Sequence, residues 1–229
     1  MTTDTRAEAI DLRLTLITSG TDHHTVRTAA AAAAAGAGVV QVRAKEASAR
    51  ELLDLVERVA AAVSAVAPNT RVVVDDRADV AIAARRRGAA VHGVHLGQDD
   101  LPVAEARDML GPGALIGLTT GTLDLVEQAQ RHLGVVDYLG AGPFRPTPTK
   151  DSGRAPLGLG GYPELVRASR LPVLAIGDVR TEDVAALSAT GIAGVVMVRE
   201  IMGSPDPAGT VGRALAAWDQ GRRRTPSRE

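Results

Sequence analysis

The sequence contains no cysteine, which excludes disulfide scaffolds, thiolate metal sites and cysteine nucleophiles together. Aromatic residues are scarce: one Trp, two Tyr and one Phe among 229 residues, too few for a platform that stacks nucleic-acid bases. The formal net charge of −1 argues against proteins that coat nucleic acid or anionic membranes. We therefore expect a core of Val, Leu, Ile and Ala, and neither nucleic acid nor a membrane as partner.

Long hydrophobic runs are also missing. The most apolar segment, 29–40, is mostly alanine and falls well short of the roughly 20 residues that cross a bilayer. The first 14 residues lack the basic start and apolar centre of a secretory signal, so the expected location is the cytoplasm.

Short β-branched runs alternate with longer amphipathic or alanine-rich segments along the whole chain. Eight runs are predicted as strands: Leu12–Thr18, Gly38–Arg43, Arg71–Val74, Gly93–Leu96, Ala114–Leu118, Val136–Leu139, Pro172–Ile176 and Gly194–Val198. Helices are predicted between them: Thr25–Ala35, a long helix capped by Ser48, and segments near 79–88, 102–110, 122–133, 162–169, 181–189 and 207–219.

Eight strand–helix units match a parallel (β/α)8 TIM barrel, an α/β fold of roughly 250 residues. No linker or change of composition divides the chain, so residues 1–219 are predicted to form one barrel domain. Residues 220–229 are charged and contain proline, and we expect a flexible C-terminal tail there. An open, doubly wound sheet is the competing topology.

The second predicted strand ends in alternating polar residues, Gln41, Arg43 and Lys45. Residues two apart on a strand share a face, so all three can project into the barrel mouth, where such folds carry their active sites. An amide and two cations suit an anionic ligand such as a pyrophosphate ester. A solvated strand end is the alternative interpretation.

Aspartates follow the third and fourth predicted strands, at Asp75-Asp76 and Asp99-Asp100. Carboxylates from neighbouring strand ends can share Mg²⁺, which takes one or two carboxylates and completes its shell with water and phosphate oxygens. Helix capping is the alternative for these aspartates. His95 is expected to be a hydrogen-bonded core residue rather than a metal ligand.

Further phosphate-binding features follow later strands. Residues 142–154 form a long, proline-rich segment with donors at Thr147, Thr149 and Lys150, as expected of a binding loop that closes over substrate. The last two strands end in Gly177-Asp178 and Val198-Arg199, where barrels of this class commonly bind phosphate.

Taken in order, these segments resemble the thiamine phosphate synthase family. The resemblance rests on QVRAK (41–45), VDDRAD (74–79), GVHLGQDDLP (93–102), IGLTTGT (116–122), GPFRPTPTK (142–150), LPVLAIGDV (171–179) and GVVMVREIM (194–202). It implies a transferase that joins a hydroxymethylpyrimidine pyrophosphate to a thiazole phosphate and releases pyrophosphate with Mg²⁺ present.

The resemblance also implies a role for individual residues. Gln41, Arg43 and Lys45 would hold the pyrimidine pyrophosphate, Asp76 and Asp100 the metal, and Lys150 the leaving group. Thr147, Thr149 and the backbone at Gly177, Val198 and Arg199 would hold the thiazole phosphate. Arg43, Lys150 and Thr119 are the expected catalytic residues, and Asp75, Thr119 and Asp178 also occupy substrate-binding positions.

Several positions depart from the family pattern. The family usually has Asn at Asp75, Ser and His at Thr119 and Gly121, and a second glycine at Asp178. A carboxylate at 178 would repel a phosphate, and we expect Arg199, where Ser is common, to pair with it and turn it away. Two alternatives stay open: a thiazole tautomerase-like barrel, for which Gly121 supplies no histidine, and a non-catalytic phosphate-binding relative. The oligomeric state, including a homo-oligomer, is not fixed by the sequence.

Overall fold

The computed structural model describes residues 10–146 and 155–224. Eight parallel strands pair in chain order and close into a barrel, β8 pairing with β1. The strands are β1 Leu14–Ile17, β2 Val39–Val42, β3 Arg71–Asp75, β4 Gly93–Leu96, β5 Leu115–Thr120, β6 Tyr138–Ala141, β7 Val173–Ala175 and β8 Gly194–Met197. The predicted (β/α)8 barrel is therefore confirmed, and the open sheet is not.

Helices connect the strands and cover the outside of the barrel. They are α1 His23–Ala34, α2 Ala49–Val66, α3 Ala78–Arg86, α4 Val103–Leu110, α5 Leu123–Ala129, α6 Gly158–Ala168, α7 Thr181–Ser188, α8 Arg199–Met202 and α9 Pro207–Arg224, with a 3-10 turn at Gln130–His132. Within the described ranges, no helix has both the length and the apolar character needed to cross a membrane.

Local sequence explains where the early helices begin and end. Asp22 caps α1 by accepting from the Thr25 amide, and Gly36, with φ of 106°, follows the helix end. Ser48 and Glu51 form the reciprocal capping box of α2, which confirms the predicted helix cap at Ser48. The alanine-rich segment is an ordered helix whose small residues Ala29, Ala32 and Ala33 are buried in the core.

Two apolar clusters hold the barrel together. The larger lies between the strands and the helices and includes Val40 and Val42 of β2. The smaller fills the barrel interior and includes Val39, from the opposite face of the same strand. Each fully buried Val, Leu or Ile contributes about 1.5–3 kcal/mol to folding. Because the strands alternate between the two clusters, Gln41 faces inward, above Val39.

The C-terminal boundary of the domain was predicted wrongly. The last helix does not end at 219 but continues to Arg224, so residues 220–224 belong to the folded domain. A Cβ at Gly221 would collide with Ser188 and Ala185 of α7, so glycine here permits close helix packing rather than stopping the helix. Trp218, buried just before it, anchors the same segment.

Smaller differences concern single elements. Helix α6 begins at Gly158, four residues before the predicted start, and α8 was not predicted at all. The segment predicted as one helix over 122–133 is α5 followed by the 3-10 turn.

Candidate functional site

The ends of β2 and β3 bring five polar side chains together. Three of them, Gln41, Arg43 and Lys45, were predicted to share one face at the barrel mouth. Gln41 is buried and donates its amide N–H to Asp75. Arg43 Nε lies 3.3 Å from Asp75 Oδ2, and Lys45 Nζ lies 2.9 Å from Asp76 Oδ2. All five line one cavity at the carboxyl-terminal mouth of the barrel. Gln41 is thus buried at the barrel mouth and Arg43 is half-buried, whereas Lys45 is exposed at the rim, as the alternative of a solvated strand end expects for that residue alone.

Burial and charge act against each other in this cluster. Burial raises the pKa of Asp75 to about 6, with the charge of Asp76 adding to the shift and Arg43 and Gln41 opposing it. The hydrogen bond with Asp76 raises the pKa of Lys45, which keeps its ammonium charged. The third carboxylate, Asp100, has its pKa raised by burial first and then by its hydrogen bond with Asp76.

Asp76 and Asp100 meet although they follow different strands. Asp76 has φ of 61°, a left-handed conformation rare outside glycine, and such strain concentrates at functional sites. Asp100 Oδ2 accepts from the Gly97 amide at 2.6 Å, which fixes the carboxylate against its own loop rather than at a helix start. Pro102, not an aspartate, precedes α4.

These two carboxylates fit Mg²⁺. Their mutual contact is unfavourable when both are ionised, and a divalent cation between them relieves that repulsion. In the part of the chain that is described, no group of three or more His, Cys, Asp or Glu side chains is arranged around one metal position. Two carboxylates are the protein ligands that Mg²⁺ commonly takes, with water and substrate oxygens completing its shell.

His95 lies in the barrel interior, as expected of a core histidine, but one of its partners reaches the cavity. Its Nε2 lies 2.9 Å from Thr119 Oγ1 and its Nδ1 lies 3.2 Å from the Tyr138 hydroxyl. Thr119 and His95 both line the cavity. The sequence prediction therefore missed His95 as a neighbour of the site, since pairing across β4 and β5 carries no local signature.

The ends of β7 and β8 form the opposite wall, lined by Gly177, Asp178, Val198 and Arg199. Arg199 Nη2 lies 2.6 Å from Asp178 Oδ1, so the expected ion pair is present. Arg180 also approaches this carboxylate, at 3.4 Å. Gly177 has φ of 110°, and a Cβ there would come within 2.9 Å of Pro143 and Phe144, so only glycine fits.

Two further side chains shape this wall and were not predicted. Arg145 stacks on Phe144, donates to the Asp178 carbonyl at 3.0 Å and pairs with Asp183. Glu200 accepts from the amide and hydroxyl of Thr181, at 2.7 and 2.8 Å, and so caps α7. Only the charge of these residues, just after a strand, could have suggested a role.

Three predicted residues, Thr147, Thr149 and Lys150, lie outside the described residues. Of the predicted closing loop, Gly142 and Pro143 line the cavity.

Comparison with known proteins gives a consistent result. The family model described as thiamine monophosphate synthase matches residues 14–201. The chain is 56% identical over 213 residues to the thiamine-phosphate synthase of Corynebacterium efficiens, covering 93% of this chain and 97% of that one. It is 57% identical over 199 residues to the same enzyme of Corynebacterium jeikeium, covering 87% and 91%.

Solved structures agree with the sequence comparison. The thiamine phosphate pyrophosphorylase of Pyrococcus furiosus superposes with a TM-score of 0.81 at 26% identity, covering 94% of this chain and 99% of that one. A 3-hexulose-6-phosphate synthase, at 16% identity and a TM-score of 0.65, shares the fold alone. The family resemblance inferred from the motifs is confirmed: the chain belongs to the thiamine monophosphate synthase family.

Proposed function

We propose that this chain joins 4-amino-2-methyl-5-hydroxymethylpyrimidine pyrophosphate to a thiazole phosphate, giving thiamine phosphate and pyrophosphate, with Mg²⁺ as cofactor. One observation carries the proposal: Gln41, Arg43 and Lys45 share a cavity with Asp76, which meets Asp100. Cations beside a paired-carboxylate metal position are what a metal-bound pyrophosphate requires. The relatives above bear the synthase name, and none of those cited is named a tautomerase.

Arg43 is the residue best placed to bind the pyrophosphate. Its Nε lies 3.3 Å from Asp75 Oδ2, and among the described residues no side chain makes a hydrogen bond with its two terminal nitrogens. A guanidinium presents those nitrogens as a fork that matches two phosphate oxygens. Asp75 thus holds the guanidinium of Arg43 at the lining of the cavity.

The chemistry needs no nucleophile from the protein. The carbon–oxygen bond to pyrophosphate breaks and its electron pair leaves with the pyrophosphate, because the electron-rich aminopyrimidine stabilises the resulting cation. The thiazole nitrogen then donates its lone pair to that carbon. Arg43, and Lys150 as the family resemblance implies, would stabilise the charge that grows on the leaving group. Bound Mg²⁺ would supply further neutralisation of the pyrophosphate oxygens.

The β7–β8 wall is the proposed site of the thiazole phosphate. The Arg199–Asp178 ion pair supports this assignment because it offsets the one carboxylate that would repel a phosphate there. The family resemblance adds Thr147 and Thr149 to the residues proposed to bind this phosphate. Two expectations from the sequence stay predictions: that the protein is located in the cytoplasm and that it can form a homo-oligomer.

The test is direct: purified protein is incubated with both substrates and Mg²⁺, and the product is identified by mass spectrometry while pyrophosphate is measured by a coupled assay. We expect thiamine phosphate and pyrophosphate in equal amounts, and neither in EDTA. Absence of both products with intact, folded protein would contradict the proposal and favour a non-catalytic binding role.

A further inference from the structure

Beneath the cavity, three side chains from neighbouring strands form a continuous hydrogen-bonded row. The Tyr138 hydroxyl, from β6, lies 3.2 Å from Nδ1 of His95 on β4. Nε2 of the same histidine lies 2.9 Å from Thr119 Oγ1 on β5. Tyr138 and His95 are buried, whereas Thr119 is half-buried and lines the cavity. The row therefore leads from the barrel interior to the substrate space.

The strands are shaped to admit this row. His95 lies beside Gly117 in the strand register, and Gly117 lies beside Tyr138. A Cβ at Gly117 would collide with both His95 Nδ1 and the Tyr138 ring, and a Cβ at Gly140 would come within 3.0 Å of His95 Cε1. Two glycines thus make room for a histidine that lies across the barrel interior and reaches both partners.

The direction of the hydrogen bonds follows from the innermost residue. Burial raises the pKa of the Tyr138 phenol above its ordinary value, so the hydroxyl keeps its proton. Its one hydrogen-bond partner within the described ranges is His95 Nδ1. A buried hydroxyl with a single acceptor donates to it, so Nδ1 accepts and the ring proton sits on Nε2.

That tautomer determines what Thr119 can do. Nε2–H donates to Thr119 Oγ1, so the threonine hydroxyl cannot donate back to the ring and its own proton is left for another acceptor. The Thr119 carbonyl accepts from the Gln98 side chain, which holds the same residue from the loop after β4. The threonine therefore presents a hydrogen-bond donor to the cavity.

We propose that His95 and Tyr138 are positioning residues that fix the Thr119 hydroxyl as a donor to a pyrophosphate oxygen of the substrate. The inference rests on the proposed function for the identity of the ligand. A hydroxyl whose proton is not used within the row pairs with an acceptor such as a phosphate oxygen.

Two histidine substitutions separate positioning from simple packing. His95→Gln places an amide nitrogen near the position of Nε2 and keeps the contact with Thr119, whereas His95→Asn reaches only toward Tyr138. We expect Thr119→Val and His95→Asn each to lower kcat/KM by roughly tenfold or more, the loss typical of a hydrogen bond to a charged group. His95→Gln and Thr119→Ser should retain most of the activity. The loss should fall mainly on kcat, because the oxygen gains charge as pyrophosphate departs.

Tyr138→Phe tests the row without creating a cavity. It should lower kcat/KM by a few-fold in the wild-type background. Neither Tyr138→Phe nor His95→Asn should lower kcat/KM further when it is added to Thr119→Val. Tyr162→Phe is the matched control, because Tyr162 is also buried and donates to one acceptor, the Ala141 carbonyl, outside the row. It should cost similar thermal stability and leave kcat/KM near that of wild type.

Calorimetric binding of inorganic pyrophosphate with Mg²⁺ gives a second measurement that does not depend on turnover. The same order of variants is expected, with Thr119→Val and His95→Asn weaker than His95→Gln and Thr119→Ser. If wild type makes no thiamine phosphate but this order holds, the proposed function fails and the positioning role stands. Equal effects of His95→Gln and His95→Asn, additive losses with Thr119→Val, or no pyrophosphate binding by wild type would overturn the positioning role.

Discussion

The two walls of the cavity handle charge differently. On the first wall, formed by the ends of β2 and β3, Asp75 pairs with Arg43 and Asp76 with Lys45, and Asp76 also contacts the carboxylate of Asp100. On the β7–β8 wall, the single carboxylate Asp178 is contacted by both Arg180 and Arg199. The second wall is thus neutralised by the protein itself, whereas we propose that the first takes up Mg²⁺ at Asp76 and Asp100 when it accepts an anionic substrate.

The largest effect is expected on the first wall. Asp76→Asn and Asp100→Asn should each lower turnover by about tenfold or more, because a lost metal ligand costs more than the 1.4 kcal/mol that this factor represents. Excess Mg²⁺ should recover part of the loss in a steady-state assay.

Asp99→Asn is the matched control for the metal ligands. Asp99 directly precedes Asp100 and is exposed, so its turnover should stay near that of wild type. Full activity of Asp76→Asn in EDTA would remove the two-carboxylate metal site from the account.

The second wall should respond through its ion pair. Arg199→Ser should weaken binding of thiazole phosphate several-fold because it releases the Asp178 carboxylate beside the phosphate. Asp178→Gly should leave binding equal or tighter, and the double variant should recover most of the loss. Contacting charges typically couple by about 0.5–3 kcal/mol in such a cycle, which calorimetric titration measures.

Arg180→Ser sharpens this experiment. Arg180 contacts the same carboxylate at 3.4 Å rather than 2.6 Å and is more exposed, so its effect should be the smaller one. Additive effects of Asp178→Gly and Arg199→Ser would show that the pair does not govern binding.

The smallest expected effect is on stability. The pKa of Asp75 is raised to about 6, so the folded state holds this proton more tightly than the unfolded state. Its favourable contribution is complete below the ordinary aspartate pKa of 3.8 and is lost as pH rises through about 6. Wild type should therefore lose unfolding temperature relative to Asp75→Asn as pH rises from 4 to 7, by a few degrees in scanning calorimetry.

The Asp79→Asn variant should show the opposite pH dependence of unfolding temperature relative to wild type, and the difference should be smaller. Arg77 lowers the pKa of Asp79, so that contribution is present above the ordinary value and lost as pH falls. If the unfolding temperatures of wild type and Asp75→Asn change in parallel from pH 4 to 7, the pKa of Asp75 is not raised by burial in the folded protein.

Much of this arrangement could be predicted from local pattern. Alternation along β2 placed Gln41, Arg43 and Lys45 on one face, and the structure brings all three to the cavity. Eight apolar runs gave the barrel because each must be buried on both faces. These features depend on a few neighbouring residues, and the sequence contains them directly.

Other features depend on contacts between distant residues. The approach of Asp76 to Asp100 requires a left-handed backbone at a residue other than glycine. The row from Tyr138 through His95 to Thr119 depends on the register of three strands. The extension of α9 to Arg224 depends on Gly221, where a Cβ would collide with Ser188 and Ala185 of α7. None of these follows from spacing along the chain.

The contrast between the two walls can be measured in one calorimetric experiment. The pyrimidine pyrophosphate and the thiazole phosphate are titrated separately into wild-type protein, each with Mg²⁺ and with EDTA. The account predicts that the pyrophosphate substrate binds tightly only with Mg²⁺, whereas the thiazole phosphate binds equally well in both. Equal dependence of both ligands on Mg²⁺, or of neither, would contradict it.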